Sequence, residues 1–390
     1  MKLMSFGKIN RKFFIPVIGG ICSLIYKFIV NLNPKYKIAS KNPFIMSIYT
    51  ALGMILSFIP YLIIKYRSKK IKSNINQNKT KLNAELAHYD VFRKKFRGSK
   101  YKLIILSAIF DFLQTLLVYI FCMKCIYNLW IFDILFISLF SYWLLRTKLY
   151  KHQYFSMIII LILGLVLNIV EYYKSETNNE FDFIEILMKF FVEIFLSLII
   201  VIAKYNMEKN YSSPYEINIF EGLTELILYI IFLIIINSLE LTIDEIKYPE
   251  NFWELINDYD INDFFVCFLV IIENTIYNIF ILLTCDYFTP CHILILSIIH
   301  EFYFYLKINE NWKLNIIGFF ILLLILFMFL IFIEIIEINI FNISYNTKKN
   351  IELRAKRDSS LDNNSLIKTN EEIELEGMKI LIPSDSTNEE

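Results

Sequence analysis

Phe112-Leu113-Gln114-Thr115-Leu116 and Ile272-Glu273-Asn274-Thr275-Ile276 lie about 160 residues apart, and each sets an amide beside a threonine inside a long apolar stretch. The same offset pairs Cys125 with Cys285, and one residue less pairs Ser138 with Ser297 and Lys148 with Lys307. The correspondence links the third to fifth of ten apolar stretches with the eighth to tenth. Five spans per half, an odd number, give the halves opposite topology. That is the trace of an inverted repeat, a plan of secondary transporters whose substrate site lies near the midplane between repeats. Composition offers a competing explanation, since Ile- and Phe-rich helices align with one another without common origin, and 17% of the residues are aromatic.

A hydrocarbon core about 30 Å thick is crossed by roughly 20 apolar residues in a helix. By that measure the spans are 13–30, 43–64, 103–122, 126–145, 155–173, 184–203, 217–239, 264–284, 288–306 and 314–341. Hydrophobic residues make up 56% of the chain, too many for an ordinary soluble domain of this length. The expectation is an all-α integral membrane protein of ten transmembrane helices in two inverted five-helix repeats, 13–173 and 184–342. Residues 1–12 precede them, a basic loop 65–102 interrupts the first, and a polar tail 343–390, expected to be disordered, follows the second. Span one follows Lys2, Lys8, Arg11 and Lys12 but lacks a small-residue cleavage site, so it reads as a retained helix.

Net charge is +1, yet the charges are sided. With ten alternating spans the N-terminus, the 65–102 loop, Arg146, Lys148 and Lys151, and Lys348, Lys349, Arg354, Lys356 and Arg357 share one face. The positive-inside rule makes it cytoplasmic, with both termini on that side. Acidic loops take the other face, with Glu176, Glu180 and Asp182 after span five and Asp244, Glu245, Glu250, Glu254, Asp258, Asp260 and Asp263 after span seven. Lys35, Lys37 and Lys41 break the pattern.

Ionisable side chains within spans are costly unless they face a partner or a water-filled cavity, so they mark function. They are Asp111 and Asp133 in the first half and Glu193, Glu221, Glu225, Glu273 and Glu301 in the second. Glu221 and Glu225, four apart, share one face of span seven, an arrangement suited to proton uptake and release. The bland alternative puts Glu221 in solvent at a cytoplasmic mouth. Glu185, Lys189 and Glu193 step along span six as an ion ladder, with Glu193 deep enough to touch a substrate. His300 beside Glu301 could relay protons, whereas His292 reads as a helix-to-helix hydrogen bond. Gln114, Thr115, Asn274 and Thr275 serve equally as substrate contacts or as interhelical glue. Lys27 and Lys189 are the basic residues read at membrane depth. An acidic interior favours a neutral or cationic solute over a nucleotide sugar, whose diphosphate calls for Lys or Arg clamps.

Four short motifs carry a family resemblance: Asn42-Pro43-Phe44 opening span two, Ser107-Ala108-Ile109-Phe110-Asp111 in span three, Leu145-Arg146-Thr147-Lys148-Leu149 followed by Gly164, and Glu208-Lys209, Ser213-Pro214-Tyr215 and Glu221-Gly222 leading into span seven. In order and spacing the chain resembles the drug/metabolite transporter superfamily, and within it branch F of solute carrier family 35, over about residues 13–342. The resemblance implies a ten-helix transporter working by alternating access. With 9 glycines in the chain, close helix packing through small residues is expected to be limited.

Cys122-Met-Lys-Cys125 has redox or metal spacing but no second pair, so neither zinc nor any other cofactor is expected. Phosphate loops, a nucleophile elbow and a metalloprotease helix are absent from the sequence. The sequons at Asn78, Asn210, Asn342 and Asn363 fall on the cytoplasmic side and should carry no glycan. In the tail, Asp362-Asn-Asn-Ser-Leu366-Ile367 is an acidic dileucine pattern of the kind sorting adaptors read, although such patterns also arise by chance. It agrees with the endolysosomal or vacuolar membranes that the resemblance implies. The expected partners are the bilayer, a small solute, protons as a coupling ion, and those adaptors; nucleic acid is not among them, and the oligomeric state is open. A nucleotide-sugar transporter of the same fold, a lipid or glycan enzyme built on the acidic loop after span seven, and a non-transporting scaffold are the alternatives to a transporter of neutral or cationic solutes.

Overall fold

The computed structural model describes residues 4–6, 11–31, 43–75, 97–121, 129–174, 183–239, 242–243, 246–247, 261–306 and 312–338. They form α1 (Phe14–Asn31), α2 (Pro43–Leu56), α3 (Phe58–Ile75), α4 (Arg97–Phe121), α5 (Asp133–Leu144), α6 (Lys151–Lys174), α7 (Phe183–Lys209), α8 (Pro214–Leu239), α9 (Ile261–Tyr287), α10 (Leu294–Leu306) and α11 (Trp312–Phe332). Among the described residues, seven helical stretches are long and apolar enough to cross a bilayer. Three shorter apolar stretches, Phe14–Ile25, Trp130–Leu144 and Pro290–Tyr303, fall within expected spans one, four and nine. On α6, Ile158, Ile162, Leu165 and Ile169 recur at helical spacing and are each more than half exposed, a stripe suited to lipid rather than water. The chain is a helical, multi-pass membrane protein.

Packing partners are rarely sequence neighbours. α4 lies against α7 and α8, and α9 against α1 and α2. α2 also packs on α8, α5 on α7, α10 on α1, and α6 on α11. Short 3-10 turns, Trp130–Phe132 and Pro290–Ile293, lead into α5 and α10.

Two expected spans differ in detail. Span two is broken at Ser57, because Pro60 has no N–H for the Leu56 carbonyl and its ring crowds that carbonyl. The Ser57 N–H turns back to Met54 O at 3.1 Å, and α3 then runs through the basic residues to Ile75, well into the expected loop. Span ten, expected to reach residue 341, stops at Phe332. Glu334 takes a left-handed φ of 64°, the Glu334 N–H bonds Ile331 O at 3.1 Å and the Ile335 N–H bonds Leu330 O at 2.9 Å, which closes the helix as a Schellman cap does. The following isoleucines favour a strand. β1 (Met4–Phe6) pairs antiparallel with Ile336–Ile338, Ser5 opposite Glu337. A second small pairing joins Thr242–Ile243 to Ile246–Lys247. Glu337 is therefore in a strand, not in the span expected to hold it.

Left-handed residues also end two other helices. After α5, Arg146 has φ 56° and the Thr147 N–H returns to Ser141 O; after α7, Tyr211 has φ 50° and the Ser212 N–H returns to Asn206 O, both at 3.2 Å.

Candidate functional site

The heart of the molecule is a seam between α4 and α8. Residues four apart share a helix face, so Ser107, Asp111 and Thr115 line up on α4, and Glu221, Glu225 and Tyr229 on α8. The two rows meet rung by rung. Ser107 Oγ donates to Glu221 Oε1 at 2.5 Å, Asp111 lies beside Glu225, and the Tyr229 hydroxyl donates to Thr115 Oγ1 at 2.9 Å. Ser47 Oγ on α2 donates to the same threonine at 3.4 Å. Glu221, Glu225 and Tyr229 are all buried, and Asp111 is half-buried. One end of the seam is closed by a buried Lys100–Glu216 pair at 2.6 Å and the Tyr101–Phe220 ring contact. At the other end Phe112 packs on the rings of Tyr229 and Phe232.

Beside the seam lies a cavity of about 300 Å³. Its lining carboxyls are Asp111, Asp133, Glu221 and Glu225, and its other polar groups are Thr50, Asn218, Tyr277, Asn278 and Ser297. The walls between them are apolar, including Met54, Ile137, Leu196, Ile200 and Leu282. Asp133, the first residue of α5, accepts from Ser197 Oγ at 3.1 Å. Next to it Glu193 pairs with Lys189 at 3.2 Å, the ladder expected for span six. The Asp111 and Glu225 carboxyls share a side-chain hydrogen bond across the seam. No group of three His, Cys, Asp or Glu among those residues is arranged to hold a metal ion.

Of the acids singled out in the sequence, Asp111, Asp133, Glu221 and Glu225 meet at this cavity. Thr115 sits one rung beyond it, and Glu193 stands behind Asp133. Gln114 and Asn274 are half-buried, with Gln114 Oε1 and Asn274 Nδ2 lacking hydrogen-bond partners among the described residues. Asn274 faces α2 at Gly53, so it belongs to a helix crossing. Thr275 Oγ1 donates to Ile271 O of its own helix at 2.7 Å. His300 meets Ser23 Oγ on α1 at 2.7 Å, whereas Glu273 and Glu301 flank Tyr277. Neighbouring helix positions point about 100° apart, which separates His300 from Glu301. His292 meets Thr289 at 2.9 Å and stacks on Phe288. Asp362, Leu366 and Ile367, the Cys122–Cys125 pair, the sequons at Asn78, Asn342 and Asn363, and most of the acidic loops lie outside the described residues.

Sequence reading passed over Asn218, Tyr277, Asn278 and Thr50. Tyr277 lies four residues after Glu273 and Asn218 three before Glu221, spacings that place each near a singled-out acid, but nothing in the chain says which helices converge. It also missed two buried lysines near helix ends, Lys100 and Lys204; the latter pairs with Glu208 at 3.2 Å.

No protein-family model matches the chain, and no curated protein matches it.

Proposed function

We propose that the chain is a ten-span secondary transporter of the drug/metabolite type, resembling branch F of solute carrier family 35, which moves a small neutral or cationic solute by alternating access of two inverted five-helix halves. The observation that carries this reading is the cavity, which collects Asp111 and Asp133 from the first half and Glu221 and Glu225 from the second. A buried polar pocket shared between halves is where a rocking transporter binds its solute.

The helix contacts support the inverted repeat. Numbering the expected spans one to ten and exchanging each with the one five places on, the contacts of span three with six and seven become those of span eight with one and two. Likewise four with six becomes nine with one, while two with seven and five with ten map onto themselves. The 3-10 turns that open spans four and nine begin at Trp130 and Pro290, at the same offset as the Gln114-Thr115 and Asn274-Thr275 pairs. Lys12, Arg146, Lys148, Lys151 and Lys209 at alternating span ends support cytoplasmic termini. An endolysosomal or vacuolar membrane rests on the tail pattern and the resemblance.

Counterflow into proteoliposomes of the purified full chain tests the reading, with cationic, neutral and nucleotide-sugar solutes at two pH values. Saturable flux of a neutral or cationic solute is expected, reduced at least tenfold in Glu221→Gln. Nucleotide-sugar flux would move the assignment to that substrate class. A folded protein that moves nothing would count for a scaffold.

A further inference from the structure

We propose that a membrane-facing groove between the start of α5, the end of α6 and the start of α7 holds one sterol, a neutral lipid with a flat fused-ring body and a single hydroxyl. The groove shares no lining residue with the central cavity, so this binding does not depend on what the chain moves.

A tight crossing sets the groove's edge. α6 is pinned to the 3-10 turn ahead of α5 at Gly164, where a Cβ would meet Ile131 Cγ2 at 2.6 Å. Beyond that contact the elements leave an open space of about 700 Å³. Its α6 wall is Leu165, Asn168, Ile169, Tyr172 and Tyr173. Phe132 from the turn and Phe190 from α7, in edge-to-face contact with ring centroids 4.9 Å apart, add an aromatic wall. Leu165 and Ile169 belong to the exposed stripe of α6 that the bilayer covers, so the groove opens to lipid.

Chemistry selects the occupant. None of the lining residues is charged. The stretch that leaves α6 carries Glu176, Glu180 and Asp182 against a single lysine, Lys174, which disfavours an anionic phospholipid. The polar groups of the lining are one buried amide, Asn168, and two phenols, Tyr172 and Tyr173. Asn168 Nδ2 donates to Gly164 O at 3.2 Å, so the phenols, both in the last turn of α6, are placed to meet a hydroxyl. A ligand that is apolar along most of its length, with one small neutral polar end, matches that distribution.

Shape narrows the class further. From Leu165 to Tyr173 the α6 wall runs about 12 Å at the helical rise, which fits within one leaflet of a hydrocarbon core about 30 Å thick. A flexible acyl chain loses conformational freedom when fixed in such a groove, whereas a fused-ring body has little to lose. Sequence agrees. A Leu or Val, a Tyr and a Lys or Arg, each separated by one to five residues, is a motif proposed for sterol contact, and Val170, Tyr172 and Lys174 fit it. Leu56, Tyr61 and Lys65 fit it too, so the motif selects nothing alone; on α6 its tyrosine lines a groove.

Binding of tritiated cholesterol to the detergent-purified full chain tests the proposal. Saturable binding of about one sterol per chain is expected, displaced by unlabelled cholesterol, with phosphatidylcholine and phosphatidylserine needing at least tenfold more. Leu165→Trp and Ile169→Trp, which fill the groove from exposed positions, should each weaken binding at least tenfold while keeping the wild-type elution volume and unfolding midpoint. Ile158→Trp and Ile162→Trp, on the same exposed stripe but outside the groove, should bind as wild type. The double variant Tyr172→Phe with Tyr173→Phe should lose roughly threefold or more, the effect of one missing hydrogen bond; unchanged affinity there would overturn the placement of the hydroxyl. Folded protein without saturable binding overturns the proposal. So does binding that Leu165→Trp and Ile169→Trp leave unchanged, an equal loss in all four tryptophan variants, or displacement by either phospholipid as readily as by cholesterol.

Discussion

Gly222→Val is expected to leave little or no monodisperse protein, the largest effect of any single substitution on the bundle. A Cβ at Gly222 meets the Ala51 carbonyl oxygen and Met54 Cβ at 2.7 Å and the Ile55 nitrogen at 3.2 Å. Two of those atoms are backbone, which no rotamer change can move. On its other side α2 is equally confined: a Cβ at Gly53 meets Ile271 O at 2.9 Å and Thr275 N at 3.0 Å on α9. α2 therefore lies between α8 and α9 with a glycine at each crossing, and has no room to retreat. Overpacking a well-filled core costs about 1–3 kcal/mol when side chains can adjust, and here helices must part. Size-exclusion profiles and thermal midpoints of Gly222→Val beside Leu223→Val check this, since Leu223 is 41% exposed and should tolerate the change. A Gly222→Val protein with a wild-type midpoint would show that α2 and α8 do not touch as described.

Lys100→Met is expected to produce the second largest loss. Its ammonium lies 2.6 Å from Glu216, and the two side chains are 8% and 16% exposed. Removing one member of such a pair leaves the other charge desolvated, at a cost of about 3–5 kcal/mol, whereas replacing both is often nearly neutral. The double variant Lys100→Met with Glu216→Gln should thus recover most of the unfolding midpoint that Lys100→Met loses. If the double variant is as unstable as the sum of both singles, the pair contributes nothing as a pair.

The helices were legible because membrane spans are long, apolar and nearly uninterrupted: among the described residues seven helical stretches are long and apolar enough to cross a bilayer, and three shorter ones fall within other expected spans. Ends were less so. Isoleucine after Phe332 is as apolar as before it, and hydropathy does not distinguish a span from the strand that follows. Pro60 was visible from the start, but the break it makes at Ser57 depends on a carbonyl four residues earlier rather than on polarity. With few glycines, close packing through small residues was expected to be limited in extent; the six whose surroundings are described each stand against a neighbouring element. Counting a residue type says little about where it is placed.

The site was half legible for a similar reason. Glu221 and Glu225 share a face by helical spacing alone, and acids within apolar helices stand out. Gln114 and Asn274 stood out equally, through their matched positions, yet neither lines the cavity, and Asn274 stands at a crossing with Gly53. Tyr277 and Asn278 drew no notice because a tyrosine and an asparagine in a tyrosine- and asparagine-rich chain carry no local signal. Their role comes from α9 passing the cavity, a fact about several converging helices at once.

The pairing of Met4–Phe6 with Ile336–Ile338 has a mechanical meaning. It laces the approach to the first helix onto the exit from the last, so those two segments are held as one. A load borne at Ile336–Ile338 is thereby shared with Met4–Phe6 ahead of α1.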